Sequence, residues 1–195
     1  MKLVRSALTS TLILAVAACV LIGANQPAMG QGLEDKIEKD EREQILRGQV
    51  PPDFSAIDMD GNELVLSDMA GETPLVLDFW ATWCPPCRME IPLLNQFASN
   101  HEGEVMVVGI TSEAAESESV IREFVGDQNL VFRIIHDPSG EISESYFVTA
   151  IPFLVVIDTE GTVVATHLGY SETIIAELEE ELGLEPTTIE EKEHE

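Results

Sequence analysis

Two cysteines separated by two prolines, Cys84-Pro85-Pro86-Cys87, stand inside the stretch FWATWCPPCRMEIP (Phe79 to Pro92). Thiols at this spacing can form half of a metal site, a structural staple or a redox centre. A zinc site needs four ligands, commonly a second cysteine pair or two spaced histidines. Here His101, His136, His167 and His194 are scattered, and the third cysteine, Cys19, lies in an N-terminal apolar run. A staple across two residues would constrain the unfolded chain very little. A reversible redox pair is the reading that remains. Proline is tolerated in the first turn of a helix, where an N–H has no partner to lose. The pair should therefore open a helix, with the Cys84 sulfur near free N–H groups and the positive end of the helix dipole, which favour thiolate.

The compartment agrees with that chemistry. Lys2 and Arg5 precede an uncharged apolar run, residues 7–24, and Ala28-Met29-Gly30 offers small residues at cleavage spacing. This is an export signal. Three fates are open: cleavage after Gly30, retention of residues 7–24 as a membrane anchor, or lipidation of Cys19 within VAAC (Val16 to Cys19). All three place the body of the protein outside the cytoplasm, in the periplasm or on the outer face of the membrane, where a Cys84–Cys87 disulfide can persist. The chain of 195 residues carries 36 Asp and Glu against 10 Lys and Arg, a net charge of −26. Nucleic acid is excluded as a partner by that charge. The acids are densest from Glu177 to Glu195, which reads as a solvated face and tail.

The surrounding pattern is that of one domain. Residues 1–30 form the signal or anchor, 31–49 a charged linker, 50–184 the folded domain and 185–195 an acidic tail. Two short alternating runs around Asp60-Gly61 predict a hairpin. PLVLDFW (Pro74 to Trp80) is nearly continuously apolar, as a strand buried on both faces should be. Its exception is Asp78, conspicuous because an unpaired carboxylate is costly there. Further strands are expected at 104–110, 130–135, 153–158 and 162–167, the last two joined by a hairpin at Thr159-Glu160-Gly161. Helical spacing appears at Val120, Ile121, Phe124 and Val125 with Gly126 as a stop, and at Ile174, Ile175, Leu178 and Leu182 before Gly183. The alternation predicts an α/β fold, a mixed sheet with helices on both faces.

Three features together resemble one family: PPDFSAIDMDGNELVLSDMAGETPLVLDFWATWCPPCRMEIP, the later AIPFLVVIDTEG, and the export signal. From about Val50 to Leu184 the sequence resembles the exported thiol-disulfide oxidoreductases of the TlpA/ResA kind. The resemblance implies a thioredoxin fold with an N-terminal β-hairpin and a helix-strand segment inserted within Thr111 to Ile135. Cys84 then matches the nucleophile and Cys87 the resolving cysteine. Pro152 matches a cis-proline facing the disulfide, and the Ile151 backbone is expected to pair with an incoming substrate. Trp83, Pro85 and Pro86 complete the expected substrate-facing set, with Trp80 and Trp83 packed beneath and beside the disulfide. Asp78 matches the buried acid of thioredoxin proper, and Glu90 the acid used by ResA-like proteins. Glu90 is expected on a partly solvated helix face and Asp78 in the interior, so Asp78 should be the stronger influence on the thiols.

The implied cycle is thiol-disulfide exchange: Cys84 attacks a substrate disulfide, and Cys87, deprotonated with help from Asp78 or Glu90, resolves the mixed disulfide. Nearby carboxylates disfavour thiolate, which makes the potential more negative and the protein a reductant. Implied substrates are disulfides of exported proteins, apocytochrome c among them, with a membrane thiol carrier supplying electrons. Neither a metal nor a cofactor beyond the Cys84–Cys87 disulfide is expected. Two other readings fit less well. A peroxiredoxin-like thiol peroxidase places Pro and Thr or Ser where this chain has Leu77 and Ala81. A copper-binding module uses Cys-x-x-x-Cys with a distal histidine, for which His136 is the candidate.

Overall fold

The computed structural model describes residues 45–114 and 117–187. The expected export signal or anchor at 7–24, Cys19, most of the linker 31–49, His194 and the tail beyond 187 lie outside those residues. Among the described residues no helix is long and apolar enough to cross a membrane.

A small antiparallel hairpin comes first, β1 (Ser55–Ile57) and β2 (Glu63–Val65), followed by a short helix, α1 (Leu66–Met69). Asp58 shapes the hairpin turn. Its Oδ1 accepts from the N–H groups of Asp60 and Asn62 at 3.0 and 2.8 Å, while Gly61 supplies the positive φ. The second hairpin repeats the device. Asp158 Oδ1 accepts from Glu160 and Thr162 N–H, both at 2.9 Å, with Gly161 at φ 75°.

The main sheet has five strands: β3 (Leu75–Phe79), β4 (Met106–Thr111), β5 (Arg133–His136), β6 (Phe153–Ile157) and β7 (Val163–Leu168). Their order is β5-β4-β3-β6-β7, parallel among the first three and antiparallel for β6 and β7. The helices are α2 (Pro85–Asn100), α3 (Glu118–Gln128), α4 (Glu141–Ser145) and α5 (Ile174–Leu182). Alternation along each strand divides the core in two. Val76, Trp80, Leu154, Val156 and Ala165 face α2, α3 and α5, whereas Leu75, Leu77, Phe79, Val155 and Ile157 face α1 and α4. The expected mixed sheet covered on both faces is thus the observed one, and α3 with β5 falls where the inserted helix-strand segment was expected, β5 ending one residue later at His136.

Three boundaries differ from the sequence reading. α3 runs past Gly126 to Gln128 and stops at Asn129, whose φ of 49° makes it the left-handed cap. Asparagine tolerates that conformation through its short polar side chain, so glycine is not required. Packing reaches back at least to Leu46, ahead of the expected start near Val50, because Leu46 is buried and the Gly48 N–H donates to Val163 O at 2.8 Å. At the other end Thr187 N–H and Oγ1 donate to Glu179 Oε1 at 2.8 and 2.6 Å, tethering the start of the acidic tail.

Candidate active site

Cys84 and Cys87 form a disulfide with an S–S distance of 2.05 Å. Cys84 is the N-cap of α2, and Pro85 and Pro86 occupy the first two helical positions. The Cys84 sulfur accepts from the Cys87 N–H at 3.3 Å, so one of the free N–H groups of the helix start is directed at that sulfur. Both cysteines are buried, while Pro85 is exposed and Pro86 half-buried.

Facing them is the loop before β6. The Ile151–Pro152 peptide bond is cis, Pro152 is buried, and the Ile151 carbonyl oxygen lies 3.9 Å from the Cys84 sulfur. A cavity of about 470 Å³ opens beside this contact, lined by Trp83 and Ala81 on one side and by Val148, Ala150 and Ile151 on the other, with Ser112 and Glu113 at its polar end. Trp83 stands out to solvent at 69% exposure and lines the cavity, whereas the buried tryptophan is Trp80. Gly109 makes room for it. A Cβ at Gly109 would lie 2.8 Å from the Trp80 indole nitrogen.

Beneath the disulfide the two acids come together. Asp78 lies in the middle of β3 and Glu90 one turn after Cys87 on α2; each is 1% exposed, and no hydrogen-bond partner reaches either carboxyl among the described residues. Burial first, then the charge of Glu90, holds the Asp78 carboxyl well above the usual carboxylate range. Burial also pushes Glu90 up to about 7, against a lowering influence from His167. Glu90 is therefore not on a partly solvated face. Cys87, Glu90, Ile91, Leu94 and Phe97 form one buried stripe, a helical spacing already visible in the sequence.

Two residues the sequence reading passed over also belong here. Glu113 accepts from Thr82 N–H at 2.7 Å and Thr82 Oγ1 at 2.8 Å, which anchors the loop leading into Cys84. His167 sits on β7 with Glu177 and Glu181 of α5 against its ring. Neither has a local signal, since each meets the site only through sheet pairing. His136, the copper-ligand candidate, instead donates from Nε2 to the Glu113 backbone oxygen at 2.9 Å.

The arrangement can perform thiol-disulfide exchange: a capped, helix-terminal sulfur, a second sulfur bonded to it, an open apolar groove alongside, and two buried carboxyls whose affinity for protons is raised. Comparison with known proteins agrees. The Redoxin family model matches residues 47–182. The chain is 36% identical to the thioredoxin-like protein YneN of Bacillus subtilis over 126 residues, 64% of this chain and 73% of that one. It is 32% identical to the thiol-disulfide oxidoreductase ResA of Bacillus thuringiensis over 145 residues, 74% of this chain and 80% of that one. Among solved structures, a putative thiol:disulfide interchange protein DsbE from Chlorobium tepidum superposes with a TM-score of 0.62 at 30% identity, covering 69% of this chain and 94% of that one.

Proposed function

The chain belongs to the Redoxin family and is a thiol-disulfide oxidoreductase, and from that premise we propose that it reduces disulfides of exported proteins through the Cys84–Cys87 pair. The observation that carries the direction is the setting of Cys87. It is buried on the same helix stripe as Glu90, whose charge also reaches Asp78, and the neighbouring cation in sequence, Arg88, rests over the Phe124 ring at 5.7 Å. Apolar burial and carboxyl neighbours disfavour thiolate, which leaves the reduced pair less stabilised and its potential more negative.

In the forward cycle the Cys84 thiolate attacks one sulfur of a substrate disulfide and expels the other as thiolate, which takes up a proton from water. Substrate backbone docks along Ile151 and Pro152, with Trp83, Pro85 and Pro86 forming the rim. The Cys87 thiol passes its proton to Glu90, or to Asp78 when that acid is ionised, and the new thiolate attacks Cys84. The mixed bond breaks, the Cys84–Cys87 disulfide forms, and the second substrate sulfur leaves and takes up a proton. The substrate disulfide gains two electrons and two protons; a dithiol on a membrane carrier restores them to the protein. The export signal at residues 1–30, with residues 7–24 as a possible anchor, supports an extracytoplasmic site and substrates such as apocytochrome c.

Equilibration against glutathione or dithiothreitol buffers tests the direction. A reductant should have a potential of about −250 mV or lower, and a value near about −120 mV, that of a strong oxidant, would reverse the assignment.

A further inference from the structure

The proton step needs a base that can stay charged inside an apolar core, yet among the described residues no hydrogen bond holds the charge of Glu90. Strand register shows what faces it. Asp78 of β3 is opposite Leu154 of β6, and Leu154 is opposite His167 of β7. Directly opposed residues of antiparallel strands project to the same face. Asp78, Leu154 and His167 therefore form one row across three strands, beneath α2 and α5, which pack side by side. Glu90 descends on this face from α2.

His167 ends the row on the edge strand, with 17% of its side chain exposed. Its Nδ1 lies 3.3 Å from Glu177 Oε2 and its Nε2 2.9 Å from Glu181 Oε2, two acids one turn apart on α5. A neutral imidazole has one donor nitrogen and one lone pair. A carboxylate at each nitrogen suits the imidazolium, in which both nitrogens donate.

Glu90 thus meets charges of both signs. Asp78 on β3 is an acid, Leu154 on β6 is apolar, His167 on β7 is the cation, Glu177 and Glu181 of α5 lie behind His167, and Cys87 is on its own helix. The Arg88 guanidinium is engaged over Phe124.

We propose that His167 is a positioning residue of the thiol chemistry: pinned as an imidazolium by Glu177 and Glu181, it favours the carboxylate form of Glu90 and keeps a proton acceptor ready for Cys87. The influence of His167 on Glu90 already opposes that of burial. The proposal rests on the reading of Glu90 as the acceptor, but the electrostatic link can be measured apart from catalysis.

The experiment is a carboxyl-carbon NMR titration of the oxidised, glutamate-labelled full chain, with the Glu90 signal assigned by Glu90→Gln. His167→Gln should raise the Glu90 midpoint by about 0.5–1 pH unit, the scale of a partly solvated opposite charge. His167→Arg, which restores the cation, should return the midpoint toward the parent value, as a merely structural strut would not. The acid limb of the pH–rate profile for disulfide reduction should move with Glu90. An unmoved midpoint in His167→Gln, or an equal rise in His167→Arg, overturns the proposal. A midpoint that moves while the rate profile stays fixed upholds the link and removes Glu90 as acceptor. Should the His167 variants not fold, the reciprocal reading serves: in Glu90→Gln the midpoint of the His167 ring must fall, and an unchanged ring midpoint is equally fatal.

Discussion

Asp78 and Glu90 share one buried face, a strand residue and a residue of the helix packed over it, and among the described residues neither carboxyl has a hydrogen-bond partner. Two acids so placed cannot both ionise cheaply. Burial, then the charge of the neighbouring Glu90, raises the Asp78 carboxyl well above the usual range and favours its protonated form, whereas burial raises Glu90 to about 7.

The ranking of the two acids therefore reverses what the sequence alone suggests. Asp78→Asn replaces a carboxyl that burial and Glu90 push toward its neutral form, while at pH 7 Glu90→Gln removes a charge present about half the time. Glu90→Gln should lower the Cys87 thiol midpoint more. One pH unit of that shift corresponds to a rise in potential of up to about 30 mV for a two-electron couple. Thiol alkylation against pH and redox equilibration of both variants check it; a larger shift in Asp78→Asn would restore the original ranking.

Stability should carry the same signature. Glu90 rises from its ordinary value of 4.5 to about 7 on folding, so between those limits the native state holds a proton the unfolded chain has lost. Stability then falls as pH rises through that window, by about 3 kcal/mol from Glu90, which adds no further change above it; Asp78, also raised, contributes a fall of the same sign that begins near its ordinary value of 3.8. In denaturant melts Glu90→Gln should match the parent near pH 4 and exceed it at pH 8. Parallel stability curves across that range would contradict the burial of the charge.

The cysteines should not be equivalent. Cys84, at the helix N-cap with the Ile151 carbonyl 3.9 Å from its sulfur, faces the groove rim, while Cys87 lies on the inner stripe of α2. Cys84→Ser should abolish insulin-type disulfide reduction, and Cys87→Ser should accumulate mixed disulfides visible by mass spectrometry under non-reducing conditions. Equal trapping by both variants would refute the order of attack.

Gly109 is expected to be sensitive for a packing reason. A methyl group there would sit 2.8 Å from both Ile134 Cδ1 and the Trp80 indole nitrogen, and 3.2 Å from Phe132 Cε2. Gly109→Ala should cost about 1–3 kcal/mol by overpacking and displace Trp80, which lines the groove. Thermal melts and tryptophan emission would report it, and an unchanged transition with unchanged emission would mean that the neighbours yield freely.

Glu113 supplies a further test of the groove. It holds both the Thr82 N–H and hydroxyl, so Glu113→Ala leaves a part-buried donor without its acceptor. The expected cost is about 1–3 kcal/mol, with faster amide exchange at Thr82 than in the parent. Unaltered exchange at that amide would show that the loop into Cys84 is held by other contacts.

What was legible in the sequence was whatever depends on neighbours along the chain. CPPC carried its own helix start, since prolines tolerate the first turn and the cysteine spacing suits a disulfide. The strands announced themselves by apolar runs, and the hairpins by turn residues at Asp60-Gly61 and Thr159-Glu160-Gly161. Asp78 stood out because a carboxylate interrupts a doubly buried strand. The Glu90 burial was legible in principle from the 87-91-94-97 stripe, although its single charge argued for solvent.

Tertiary structure decided the rest, because it turns on distances between segments far apart in the chain. Only sheet order brings His167 of β7 into the row begun by Asp78 of β3, and only the end of β4 carries Glu113 to Thr82, 31 residues earlier. The protonation of the two acids is likewise a property of the assembled core. A carboxyl on an isolated strand or helix is solvated and ionised; it is the removal of water by the packed sheet and helices that raises both and makes one respond to the other.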